Sequence, residues 1–143
     1  MMFKLNEIKS QEKRKFLITG ANSGLGYETS KVLLEKGATV IMCCRDLVKA
    51  ERAKKELLKF NFPGNIELFE LDLSDLRKVR KSSQLIKNKF NSLDVLINNA
   101  GIMAPPKTLS KQGFEIQFAV NHLAHMSLTL ELLPMLEEKN NSK

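Results

Sequence analysis

The residues best placed to do chemistry are Phe16 to Gly26, which read Phe-Leu-Ile-Thr-Gly-Ala-Asn-Ser-Gly-Leu-Gly. Phe16, Leu17 and Ile18 form the short apolar run expected of a strand buried on both faces. Gly20, Gly24 and Gly26 then punctuate a tight turn, and from Leu25 onward the residues favour a helix. A strand, a glycine-rich turn and a helix start together make an anion site. Backbone N–H groups of the turn and the positive end of the helix dipole converge where a pyrophosphate could sit. Glycine is required because a Cβ would block the phosphate's approach or forbid a positive φ. The spacing is Thr-Gly-x-x-x-Gly-x-Gly rather than Gly-x-Gly-x-x-Gly, and the Gly-Lys-[Ser/Thr] of a P-loop is absent. A glycine triple by itself can also be a structural turn; the strand before it and the helix after it favour the nucleotide site.

The elements that must position this turn are legible along the chain. The periodicity predicts a strand over 15–19, a helix from about Gly24 to Glu35 stopped by Gly37, and a buried strand over 39–44. Asp46 can cap a second helix reaching about Phe60, on which Leu47, Ala50, Ala53 and Leu57 recur at helical spacing. Pro63-Gly64 turns the chain into a third strand marked by Ile66, Leu68, Phe69 and Leu71. Ser74 is the expected cap of a third helix, with Leu76, Val79, Ser83, Ile86 and Phe90 on one face. A fourth strand covers 93–97, and a surface loop covers 102–112. A long helix is expected from about Gly113, through Phe114, Phe118, Leu123 and Met126, to about Glu138, with Pro134 as a kink or boundary. Residues 1–14 read as a flexible or loosely helical arm, leaving 15–143 as one domain. Strands alternating with helices imply α/β architecture, a doubly wound, Rossmann-like parallel sheet in the order 3-2-1-4. The ligand then belongs at the carboxyl ends, between strands 1 and 4.

Bulk properties narrow the partners. The chain has 143 residues, 23 basic and 16 acidic, for a net charge of +7. Arg77, Lys78, Arg80, Lys81, Lys87 and Lys89 fall on one helix without interleaved aromatics, which reads as a solvated face. Aromatic residues are only 6% of the chain, so a stacking platform for nucleic acid is not expected. Cys43 and Cys44 are adjacent on a strand, point to opposite faces, and suit buried thiols in a reducing compartment, with the cytoplasm as the default. Neither a signal-peptide core nor a membrane-spanning run stands out in the sequence. No metal site is expected either: His122 and His125 lack a third ligand and read as packing or hydrogen-bonding residues.

At the end of the second strand, Cys44 and Arg45 stand where a dinucleotide site usually places an acidic residue for the ribose hydroxyls. A cation there suits a 2′-phosphate, so NADP(H) is expected over NAD(H). Asp46, one place later, is committed to the helix cap. An exposed arginine at a strand end is the plainer alternative.

The three-residue glycine gap, Asp72-Leu73 after the third strand, Asn98-Asn99-Ala100-Gly101 after the fourth, and Asn121 in the long helix together resemble the short-chain dehydrogenase/reductase family. The stretch Gly113-Phe114-Glu115 to His122-Leu123 is similar to its retinol-dehydrogenase-like and protochlorophyllide-reductase-like branch. The resemblance runs from about residue 13 to 138 and covers about the first half of a family domain. It implies an oxidoreductase that moves hydride between a nicotinamide and a carbonyl or alcohol substrate. It assigns cofactor binding to Gly20, Asn22, Ser23, Gly24, Leu25, Gly26, Arg45, Asp72, Leu73, Asn99, Ala100 and Gly101. In this reading Asp72 reaches the adenine edge, and Asn121, expected to be buried, holds a water of the proton relay. The family's catalytic serine and Tyr-x-x-x-Lys have no counterpart among these positions. Tyr27 and Lys31 have the right spacing but stand on the helix behind the cofactor loop, as exposed neighbours on one face. The chain is therefore expected to be a cofactor-binding half that stops before the catalytic segment, with self-association among its options. A non-catalytic nucleotide-binding or interaction module is the alternative.

Overall fold

A computed structural model describes residues 5–137. Residues 1–4 of the expected arm, and Glu138, lie outside the described residues. The chain alternates β1 (Lys15–Thr19), α1 (Gly24–Glu35), β2 (Thr39–Cys44), α2 (Leu47–Leu58), β3 (Asn65–Glu70), α3 (Leu76–Lys89) and β4 (Val95–Ile97). A helical turn α4 (Ile116–Phe118), a π-helical segment Ala119–Leu123 and α5 (Ala124–Glu137) follow. The strands pair in parallel in the order β3-β2-β1-β4, as the alternation predicts.

Side chains on successive strand residues point to opposite faces, and both faces of this sheet are covered. Phe16, Ile18, Val40, Met42 and Cys44 face α1 and α2, meeting Leu33, Leu34, Ala53 and Leu57. Leu17, Ile41 and Cys43 face the other way, against Val79 and Ile86 of α3 and Val120, Ala124, Leu128 and Leu132. The adjacent cysteines are thus buried in separate cores, both free thiols. Burial pushes the Cys43 thiol well above its ordinary range.

Asp46 caps α2 as expected, its carboxylate accepting the Lys49 N–H at 3.0 Å. The cap of α3 differs from the expected one: Asp75, not Ser74, accepts the Arg77 N–H at 3.0 Å. Ser74 is engaged elsewhere, donating its N–H (3.0 Å) and hydroxyl (2.6 Å) to Asp72. The long helix also departs from expectation. The loop extends to Glu115, which caps α4 by accepting the N–H groups of Gln117 and Phe118. Phe114 lies before the helical turn, and Phe114, Phe118 and Met126 are exposed. The helix runs through Pro134, so that residue is no boundary.

The basic face of α3 is solvated as expected, with only Lys87 half-buried, and several of its cations also make ion pairs. Lys87 (2.8 Å) and Arg80 (3.2 Å) both reach Glu131 on α5, Lys89 reaches Glu67, and Lys78 reaches Asp72. The two pairs with Glu131 link α3 to α5, and the other two link α3 to β3 and to the segment that follows it.

Candidate functional site

The carboxyl ends of all four strands open onto one cavity of about 510 Å³. Four stretches of chain, one after each strand, build most of it. From the turn after β1 come Gly20, Asn22, Ser23 and Leu25; from the end of β2 comes Arg45. Asp72 and Leu73 follow β3, and Asn99, Ala100 and Gly101 follow β4. Ten of the residues singled out in the sequence therefore share one wall, although they span positions 20 to 101.

Gly24, Gly26 and Asn121 do not line it. Gly26 lies beneath the turn, where a Cβ would come within 2.6 Å of both Asn99 Nδ2 and the Gly20 carbonyl. Its lack of a side chain is what lets α1 start so close to the strand ends. Gly20 has φ +66°, and a Cβ there would stand 3.0 Å from Ala100 Cβ. Gly24, at the first position of α1, has φ +55°.

Asn121 is exposed, contrary to the expectation that it is buried. Its amide instead bridges the backbone of Ile102, accepting that residue's N–H at 2.9 Å and donating to its carbonyl at 2.8 Å. The side chain is satisfied at the surface by the loop it fastens, so burial is unnecessary. Tyr27 and Lys31 are only partly exposed; Tyr27 packs on the α1 side of the core, and Lys31 lies over the Phe60 ring. Burial pushes the Tyr27 hydroxyl above its ordinary pKa, which opposes a role as a ready proton donor. Neither residue lines the cavity.

Electrostatically, the cavity has one basic and one acidic wall residue. Arg45 is exposed at its edge. Burial pulls the Asp72 carboxyl upward, but hydrogen bonds from Ser74 and Lys78 outweigh it and hold the group below its usual range. Asp72 is thus a fixed anion with Oδ1 taken by Ser74 and Oδ2 facing Lys78 at 3.2 Å. Ser23 precedes α1 without a side-chain cap, leaving the first turn of that helix available to an external anion.

Sequence reasoning missed several lining residues. Cys43, Leu71, Ile102, Ile116 and Val120 supply apolar wall, and Thr19 supplies a hydroxyl at its base. Thr19 carried a signal, since it directly precedes the first glycine; the apolar residues carried none beyond core periodicity.

A parallel sheet with a glycine turn, an uncapped helix start and a cavity at its switch point defines the doubly wound nucleotide-binding class. Within that class, a family model described as short chain dehydrogenase matches residues 14–143, and the chain belongs to that family. It is 46% identical over 137 residues to retinol dehydrogenase 14 of Mus musculus, covering 89% of this chain and 41% of that protein. The chain spans about two fifths of the length of the curated relatives it matches. Among solved structures, an uncharacterized protein from Mycobacterium paratuberculosis superposes with a TM-score of 0.81 and 45% identity, covering 93% of this chain and 46% of that one. An NADP active-site complex of RhlG from Pseudomonas aeruginosa superposes with a TM-score of 0.76 at 30% identity, covering 90% and 50%.

Proposed function

We propose that this chain is the cofactor-holding part of an NADP(H)-dependent oxidoreductase that interconverts a carbonyl and an alcohol. The observation that carries this reading is the single cavity at the strand ends, lined by the glycine turn, Arg45, Asp72 and Asn99–Gly101. A dinucleotide fits the residues present. Gly20 and Gly26 occupy positions where a Cβ would meet backbone or the Asn99 amide, and the start of α1 lacks its own cap. A bound nicotinamide supplies the hydride acceptor or donor.

The chain's own residues hold and orient. The Gly20 N–H is given to the Cys43 carbonyl, so the N–H groups of the turn beyond it, through Asn22, Ser23, Gly24, Leu25 and Gly26, take the pyrophosphate. Arg45 takes the 2′-phosphate of NADP(H), for which its planar guanidinium is suited. Asp72 accepts from the adenine amino group, and Leu73 flanks the ring. Asn99, Ala100 and Gly101 let the ribose approach. Asn121 belongs to the proton relay through its backbone, since its side chain is spent on Ile102. We assign the residues that line the cavity to cofactor binding, with Asn121 the one position assigned to proton transfer. The free, buried thiols suit a reducing compartment, and we place the protein in the cytoplasm.

Titration of NADPH and NADH into the purified chain, followed by nicotinamide fluorescence, tests the cofactor preference. NADPH should bind at least about tenfold tighter than NADH, and Arg45→Gln should erase that gap by weakening NADPH alone. Equal affinities in the wild type would show that Arg45 reads no phosphate.

A further inference from the structure

Thr19 on β1 and His125 on α5 are 106 residues apart in sequence and meet in the interior, with Oγ1 and Nε2 separated by 2.9 Å. Thr19 is 0% exposed and His125 6%. A threonine hydroxyl has one hydrogen to give and two lone pairs to receive with. Both lone pairs are taken, because the Asn99 N–H (3.0 Å) and the Ala100 N–H (2.9 Å) donate to Oγ1. The hydroxyl hydrogen must therefore go to Nε2, which has to be bare to accept it. The ring's single proton then sits on Nδ1, and Nδ1 lies 3.2 Å from the Asn121 carbonyl, to which it donates. The opposite tautomer would aim a third N–H at an oxygen with no lone pair left. Only one arrangement of hydrogens satisfies every group.

From this we infer that His125 is a positioning residue. As the Nδ1–H tautomer it draws the Thr19 hydrogen inward and reserves both lone pairs for the Asn99 and Ala100 amides. That fixes the peptide at the base of the cavity and couples it to the backbone of Asn121, within one continuous chain of hydrogen bonds. The helix end of the chain is itself braced: Thr129 donates to the His125 carbonyl at 2.8 Å, and Asn98 Nδ2 donates to Thr129 Oγ1 at 3.0 Å. The consequence for cofactor affinity rests on the function proposed above; the hydrogen-bond chain itself does not.

Nitrogen NMR of the wild-type chain reads the tautomer directly, and should show a bare Nε2 with the proton on Nδ1 at neutral pH. In His125→Leu the hydroxyl loses its acceptor, so exchange of the Asn99 and Ala100 amides with solvent should quicken by about tenfold. NADPH Kd should rise by about the same factor. His125→Gln, whose Oε1 can take the Thr19 hydrogen, should restore both to within about threefold of wild type. A protonated Nε2 in the wild type overturns the proposal without requiring any variant to fold. Unchanged amide exchange in folded His125→Leu also overturns it, and faster exchange with unaltered NADPH affinity overturns its link to the cofactor. Absence of NADPH binding by the wild type would instead remove the cofactor reading, while tautomer and exchange still decide the role of His125.

Discussion

Gly26 shows how one missing methyl group sets the geometry of the whole cavity. A Cβ there would press on the Asn99 amide and the Gly20 carbonyl at 2.6 Å each, so either the turn or the segment after β4 must move. Both flank the cavity; the Gly20 carbonyl is backbone, and the Asn99 amide is held in place by donating to the Thr19 carbonyl at 2.9 Å. Gly26→Ala should therefore destabilise the fold by about 1–3 kcal/mol, the usual cost of overpacking, read as a lower urea midpoint with unchanged slope. A variant as stable as wild type would mean that the turn is not held as tightly as described. His125 gives a second residue-level expectation. Burial lowers its pKa, with the Asn121 carbonyl acting weakly the other way. The unfolded chain, with an ordinary histidine value of about 6.5, then binds more protons than the folded one below that pH. Stability should hold above about pH 7 and fall as pH drops through 6.5 toward the folded value. In His125→Gln that part of the slope should vanish. An identical pH profile for the two proteins, measured by urea unfolding, would contradict the buried neutral ring.

At the scale of elements, the strands were legible as short apolar runs, and the first three helices by apolar residues recurring at helical spacing. The continuous apolar runs Phe16-Leu17-Ile18 and Val40 to Cys44 mark strands covered on both faces, and those faces match the two cores. Asp75 and Ser74 are both good caps, and the sequence does not say which one Asp72 will engage. The long helix misled for a different reason. Apolar residues occur nearly all round it, so its period has no single phase, and the π-helical segment Ala119–Leu123 shifts the phase again. The buried stripe is Val120, Ala124, Leu128 and Leu132, while Phe114, Phe118 and Met126 are exposed. Asn121 was expected to be buried because its neighbours along the helix are apolar, yet it is exposed. The α3–α5 ties were invisible because they depend on Glu131 standing opposite Arg80 and Lys87, 51 and 44 residues away. Lys87, followed by burial acting in the opposite sense and then by Arg80, holds the Glu131 carboxyl below its ordinary range. Since Arg80 is largely solvent-facing, Glu131→Gln should cost no more than about 1 kcal/mol, and less in high salt. A loss above about 2 kcal/mol that persists in high salt would assign the packing of α3 on α5 to this carboxylate rather than to the apolar core.

For the molecule as a whole, four motifs scattered over some eighty positions become one surface only because parallel strands deliver their carboxyl ends to the same edge. That convergence was readable in advance, since the strand order follows from right-handed crossovers. The wall residues Leu71, Ile102, Ile116 and Val120 were not, because they differ from other core residues only in where they end up. The net charge of +7 is spread over helices and partly neutralised by ion pairs, while Arg45 is the basic residue at the cavity itself. The central claim is that a dinucleotide sits in this cavity. Its most direct test is an amide NMR map of the chain with and without saturating NADPH. The account predicts shifts concentrated at Gly20–Gly26, Arg45, Asp72–Leu73 and Asn99–Gly101, with α2 and the lower ends of the strands unmoved. A folded chain whose spectrum does not change, or changes away from the strand ends, would contradict it.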